Sequence, residues 1–188
     1  MEFLKVVEAQ LHLIFGLFFL LCIAVRKNIL TDSPSPSILV RSRKSPSILC
    51  GLRVVDVLFP VAKGQRELVI GDRQSGKSAI FICAQVAQKS QNNFVVTRRK
   101  IFSVVSASGG RLSTSVRFLR IYARTACRAD VAFLAAGITD LMGSQFLAHL
   151  SAAAVLENSR NRGLHHQAGF DDLSKHAVAY RQMCLFFA

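Results

Sequence analysis

The chain is short of negative charge. Asp and Glu together number 11 against 24 Lys and Arg, giving a formal net charge of +13. Between Asp72 and Asp130 there is no acidic residue, whereas basic residues from Arg73 to Arg128 are frequent. Such an imbalance suits a polyanion: nucleic acid, anionic lipid, nucleotide or an acidic partner subunit. No RNA-module signature and no run of stacking aromatics accompanies the charge, so nucleic acid is not favoured and a solvated basic face is preferred. Cys-x-x-Cys pairs are also missing. Cys22, Cys50, Cys83, Cys127 and Cys184 are widely spaced, which leaves a zinc site unsupported. An odd cysteine count argues against a disulfide scaffold and for a reducing compartment. No small-x-small site follows the N-terminal apolar run and its basic flank is thin, so a cleavable secretory signal fits poorly. Charged residues are only 19% and hydrophobic ones 51%, which argues against global disorder. The 188 residues suffice for one ordinary domain with a core.

The apolar run spans Leu11 to Val25 and is broken only by His12. It is shorter than the ~20 residues of a membrane span. Extension back to Val6 reaches that length but admits Glu8 and Gln10, and Arg26 and Lys27 follow at once. A signal anchor, a marginal membrane helix and a buried helix all remain open, with residues 6–25 as the membrane contact in the first two. Arg26 to Ser47 partly fit an organelle presequence, whereas Met1 to Val25 do not. Thr31 to Ser47 are rich in Pro and Ser and read as a linker. Within them, Ser35-Pro36-Ser37-Ile38-Leu39 is echoed by Ser45-Pro46-Ser47-Ile48-Leu49, too little to define a repeat architecture. The expected organisation is a hydrophobic helix over 1–30, a basic Pro/Ser-rich linker over 31–49 and a nucleotide-binding domain over 50–188.

From Cys50 onward the pattern turns globular. Arg66 to Ile70 predict a short strand. Lys77 to Lys89 predict a helix with Ile80, Phe81, Cys83, Ala84 and Ala87 on one apolar face. Ile101 to Ala107 and Asp130 to Ala136 predict buried strands, and Leu141 to Asn158 and Ser174 to Phe187 predict helices. Strands alternating with helices indicate an α/β fold with a parallel sheet.

Gly71-Asp72-Arg73-Gln74-Ser75-Gly76-Lys77-Ser78 fits G-x-x-x-x-G-K-[ST], between a predicted strand and a predicted helix. Gly71 and Gly76 permit backbone angles and close approaches that a side chain would block. The N–H groups of such a loop point inward onto phosphate oxygens, and the helix beyond adds its positive end. Lys77 carries the charge for the terminal phosphates, and the Ser78 hydroxyl suits Mg2+. The bland alternative, a glycine turn before a helix, is weaker in this context.

A second Mg2+ group is expected at the end of another strand, where Asp171 and Asp172 are the candidates. The same pair, with Ser174, also reads as an N-cap cluster for the last helix. The preceding Leu164-His165-His166-Gln167-Ala168-Gly169-Phe170 is unusually polar for a buried strand. An eroded strand is preferred over a metal site, since adjacent strand residues face opposite ways. Between Arg73 and Ala129 no carboxylate is available to activate water, which favours binding without turnover.

At these residues a family comes into view. Gly51-Leu52-Arg53-Val54-Val55-Asp56, then Gly64 through Ser78, then Asp171-Asp172-Leu173-Ser174-Lys175-His176-Ala177-Val178-Ala179-Tyr180-Arg181-Gln182-Met183, resemble the alpha subunit of F-type ATP synthase. The Asp72-Arg73-Gln74 wording resembles alpha rather than the catalytic beta subunit, and Ala177-Val178-Ala179-Tyr180 looks mitochondrial or bacterial. The likeness is faint between Gln85 and Gly163. It implies an incomplete P-loop NTPase fold of the RecA type. It further implies that Gly71, Gln74, Gly76, Lys77, Ser78 and Ala79 bind ATP or ADP and that Ser78 and Asp171 hold Mg2+. The implied role is a non-catalytic nucleotide site beside beta-type subunits in a proton-driven synthase head, at the matrix face of the mitochondrial inner membrane. The family's N-terminal barrel, its glycine-glutamine-lysine stretch near Ser106 to Arg111 and everything it places beyond Ala188 have no counterpart. The expectation is therefore a truncated, diverged fragment of poor solubility. The alternatives are a non-functional relic of an alpha-subunit gene or another hexameric P-loop ATPase.

Overall fold

The computed structural model describes residues 31, 34, 36–40, 46–72, 74–93, 100–125 and 131–187. The predicted hydrophobic helix over 1–30 lies outside them. Among the described residues no helix is long and apolar enough to cross a membrane. The chain divides into two compact units, Ser33–Lys100 and one that holds Ile101–Ala188.

The first unit has little regular structure before its long helix. A single exposed 3-10 turn, Ile38–Val40, precedes strand β1, Ser47–Ile48. Helix α1, Arg53–Leu58, separates β1 from β2, Val61–Ala62, with which β1 pairs antiparallel. The turn into α1 is tied by Asp56, whose carboxylate accepts from the amides of Cys50 at 2.7 Å and Gly51 at 3.0 Å. Helix α2, Lys77–Asn93, follows the glycine-rich loop.

The predicted apolar face of α2 docks only in part. Ile80 and Cys83 are exposed, and the buried residues are Ala84, Gln85, Gln88 and Asn92. The reason is the partner surface, which is open backbone rather than an apolar sheet. The Gln88 and Gln91 side-chain amides donate to the Leu49 carbonyl at 2.7 and 3.1 Å. Gly51, at φ +76°, lies so close to α2 that an added Cβ would sit 2.8 Å from the Ala87 methyl. A carbonyl that must be satisfied selects amides over alkyl groups.

The predicted strand over Arg66–Ile70 is not formed. Leu68 and Ile70 are 67% and 81% exposed. A strand exists only through ladder bonds to a neighbour, and among the described residues this segment has none. Its β-branched residues express a propensity that no partner strand realises.

The second unit carries the parallel sheet. Strands β3, Ile101–Gly110, β4, Val131–Gly137, and β5, His165–Asp171, are ordered β4-β3-β5. Central β3 is parallel to both, with Val104 opposite Ala132 and Ala168. Helix α3, Leu112–Arg124, connects β3 to β4, α4, Met142–Asn161, connects β4 to β5, and α5, Leu173–Phe187, follows β5. One sheet face, bearing Val104, Ala132 and Leu134, packs on Ala152, Val155 and Leu156 of α4. On the other face Phe133 meets Phe118 of α3 at 6.3 Å between ring centroids. Helices on both faces are what a parallel sheet requires.

Two sequence expectations change here. Helix α3 is absent from the predicted elements although Arg117, Arg120 and Arg124 recur at helical spacing beside Phe118 and Tyr122, an amphipathic pattern carried by the sequence itself. Tertiary packing buries Ser115, Phe118 and Tyr122 on one side and leaves Arg117, Arg120 and Arg124 exposed on another. The strand expected to be eroded, β5, is intact and pairs with β3 over its full length. Backbone ladder bonds do not depend on side chains. Among the described residues β5 borders the sheet, so its polar groups are only partly withdrawn from water.

Candidate functional site

The glycine-rich loop closes on itself. Gln74, at φ 64°, is the described non-glycine residue with a left-handed backbone, and Gly76 has φ 87°. Left-handed residues alternating with right-handed ones turn successive amides to one side, the geometry of an anion-binding nest. Holding a glutamine there costs about 1 kcal/mol, a strain expected where a ligand is to be met. The Ser75 amide and hydroxyl both bond the Asp72 carbonyl, at 3.3 and 2.8 Å. An added Cβ on Gly71 would fall 2.6 Å from the Ser75 hydroxyl, which would have to move to admit a side chain there. The amides of Ala79 and Ile80 return to the Gly76 carbonyl at 3.0 and 3.2 Å, which starts α2 directly behind the loop.

Lys77 folds over this turn. Its ammonium donates to the carbonyls of Gly71 and, at 2.7 Å, Asp72. A cation is thus held across the mouth of the loop by neutral acceptors that a phosphate can outcompete. Ser78 is half-buried in the first turn of α2, and Ala79 beside it is exposed. Gly71, Gln74, Gly76, Lys77, Ser78 and Ala79 are therefore brought together in one loop and helix start.

Asp171 belongs to the other unit. It ends β5 opposite Ala107 of β3, at the carboxyl ends of the parallel strands, where open α/β sheets place their ligands. The Asp171–Asp172 peptide is cis. The two aspartates divide their roles: the Asp172 carboxylate accepts from the Ser174 amide at 3.1 Å and its carbonyl from the His176 amide at 3.2 Å, capping α5. Asp171 is half-buried. Ser78 and Asp171 lie in different units, and each carries oxygen donors of the kind Mg2+ prefers. Among the described residues no three His, Cys, Asp or Glu converge into a cation cage. His165 and His166 alternate across β5, and His166 faces Phe102 at 6.0 Å between ring centroids. Burial lowers the His166 pKa, with the neighbouring His165 acting in the same direction.

Behind the Asp171 turn lies a cluster that sequence reasoning missed. Ser106 of β3 and Nδ1 of His149 of α4 are 2.7 Å apart. His149 is 4% exposed and Ser106 is fully buried. Burial, followed by the nearby His176, lowers the His149 pKa to about 4, against a smaller upward pull from Asp172. The His149 ring meets Phe170 edge-on at 5.4 Å and His176 at 4.9 Å. A single histidine in the alanine-rich stretch of α4 carries no periodic signal, and only the sheet register reveals its partner.

The combination of a phosphate-type loop opening a helix and a three-stranded parallel sheet flanked by helices defines an α/β nucleotide-binding class of domain. The pattern of the ATP synthase alpha/beta family, nucleotide-binding domain, matches residues 51–187, and the chain belongs to this family. The ATP synthase subunit alpha of Ehrlichia ruminantium (strain Gardel) is 38% identical over 151 residues, 80% of this chain and 30% of that protein. That of Anaplasma marginale (strain Florida) is 37% identical over 154 residues, 82% of this chain and 30% of its own length. That of Wolbachia pipientis subsp. Culex pipiens (strain wPip) is 36% identical over 163 residues, covering 87% and 32%. The chain thus spans about a third of the length of these relatives.

Proposed function

We propose that this chain is an alpha-type nucleotide-binding element of an ATP synthase head, binding ATP or ADP with Mg2+ without turning it over. The observation that carries the reading is the closed loop with Lys77 folded across its mouth. In this reading the loop amides and Lys77 hold the phosphates, Gly71, Gln74, Gly76 and Ala79 shape the cradle, and Ser78 and Asp171 hold Mg2+. Bound Mg2+ would neutralise phosphate charge and fix its geometry. The absence of acidic residues between Asp72 and Asp130 supports binding without hydrolysis, because no carboxylate there can activate water. Beta-type subunits are the proposed partners, and proton-driven ATP synthesis the process served. Support comes from the family and from relatives that bear the alpha-subunit name, which also disfavours another hexameric ATPase. The mitochondrial inner membrane, matrix face, remains our proposed location, on the Ala177-Val178-Ala179-Tyr180 wording. The partition at residues 30 and 49 and the membrane contact through residues 6–25 are likewise part of this proposal.

The test is calorimetric titration of Mg-ATP into the full chain and its Lys77→Ala variant. We expect the wild-type chain to bind and the variant to lose roughly a hundredfold in affinity, as when a charge-assisted phosphate contact is removed. Equal binding by both proteins would rule the loop out as the site.

A further inference from the structure

We propose that the outer face of α3 is a docking surface for an acidic helix of a protein partner, met by Arg117, Arg120 and Arg124. The inference goes beyond the nucleotide-site reading and does not depend on it. At 3.6 residues per turn the three arginines fall within about 60° of one another, in a line about 10 Å long. All three are exposed, whereas Ser115, Phe118 and Tyr122 on the opposite side are buried. None of the three forms an ion pair or a side-chain hydrogen bond among the described residues. Nor can the helix neutralise them itself, because α3 contains no Asp or Glu. Arg117 and Arg120 stand three residues apart and Arg120 and Arg124 four, the spacings at which like charges on a helix repel. A face that serves only solvation is better built from both signs of charge.

The chemistry of arginine narrows the partner. Its planar fork donates in pairs to carboxylate or phosphate oxygens. The flanks of the ridge decide between these. Val116 and Ala123 on one side and Ile121 on the other are half-buried aliphatic residues. A helix laid antiparallel along α3 covers them while carboxylates at its positions i, i+4 and i+7 meet Arg124, Arg120 and Arg117 in turn. A phosphodiester backbone would meet the arginines and leave those flanks in water. A bilayer calls for large apolar side chains beside the charge. The exposed large apolar residue of α3 is Leu112, turned about 110° from the ridge. A single exposed ion pair contributes little, so three in register over apolar cover are what a specific contact needs.

The experiment titrates the full chain with two alanine-based helical peptides of identical composition. One carries glutamates on a single face at i, i+4 and i+7; the other has them dispersed around the helix. We expect the aligned peptide to bind about tenfold more tightly than the dispersed one. Combining Arg117→Gln, Arg120→Gln and Arg124→Gln should weaken the aligned peptide about thirtyfold, as three modest contacts are lost together. Combining Arg53→Gln, Arg160→Gln and Arg181→Gln removes the same charge from exposed positions elsewhere and should leave binding within about threefold of wild type. Equal losses in the two triple variants, or equal binding of the two peptides, would reveal attraction to net charge alone and overturn the ridge. Absence of peptide binding would overturn it too. Ridge-dependent binding to phosphatidylserine vesicles or to duplex RNA, tighter than to the aligned peptide, would overturn the protein partner and reassign the face. Thermal melting supplies a second readout. Removing mutually repelling charges should leave the ridge variant at least as stable as wild type. A fall in its Tm would show that the arginines serve the fold, and would overturn the docking role.

Discussion

The two units of this chain carry their information in opposite ways. Ser33–Lys100 holds the most recognisable motif and the thinnest structure: a pair of two-residue strands, a six-residue helix and one long helix docked through glutamines. Ile101–Ala188 holds few recognisable motifs and the firmest structure, a parallel sheet with an apolar layer beneath α4. A loop that binds phosphate is made by local backbone angles over a few residues, so it needs little core. A sheet is made by distant segments that must agree, so it needs a core and tolerates many sequences.

The largest expected difference tests where stability resides. Leu134→Ala, at a site 2% exposed, should destabilise the protein by about 3–4 kcal/mol. Thermal melting checks this; a loss comparable to that of an exposed substitution would break the contrast between the units. Acid should act on the same unit. His149 falls from an ordinary value of 6.5 to about 4 on folding, so between those pH values the unfolded chain binds a proton that the folded chain refuses. Stability should therefore be complete above pH 6.5, decline as pH falls, and level off below about 4. Chemical denaturation across that window, compared with His149→Gln, checks the sign and the source.

Smaller effects should sharpen the picture of the first unit. Gln88→Ala removes one of the two side-chain donors to the Leu49 carbonyl, for a cost of about 1 kcal/mol. Hydrogen exchange in Ser33–Lys100 should quicken while the sheet amides stay protected; uniform quickening would show one cooperative body. Gly76→Ala puts a Cβ where φ is 87° but space is open, so its cost should be about 1 kcal/mol of backbone strain. ATP affinity should drop with little change in melting temperature. An unchanged affinity would show that the left-handed turn does not shape the cradle.

The strands β3 and β4 were legible because they are apolar-rich runs of strand length, buried almost continuously as expected of strands with two covered faces. The failures have one cause. Arg66–Ile70 has strand-forming residues without a strand neighbour, and α2 turns glutamines toward a carbonyl. Each outcome depended on what lay opposite, which no window along the chain contains.

Of the candidate site, the loop from Gly71 to Ser78 was readable because its spacing is itself the structure. The amino-acid sequence alone determined that phosphate-shaped turn, the positive charge at its mouth, the parallel α/β plan and the family. Only the tertiary structure decided that Asp172 caps α5, that α2 docks through polar groups, and that Ser106 meets His149 inside the sheet unit. Backbone angles and spacing are local and travel with the sequence. Pairings between residues far apart exist only once strand register and helix packing have set their distance.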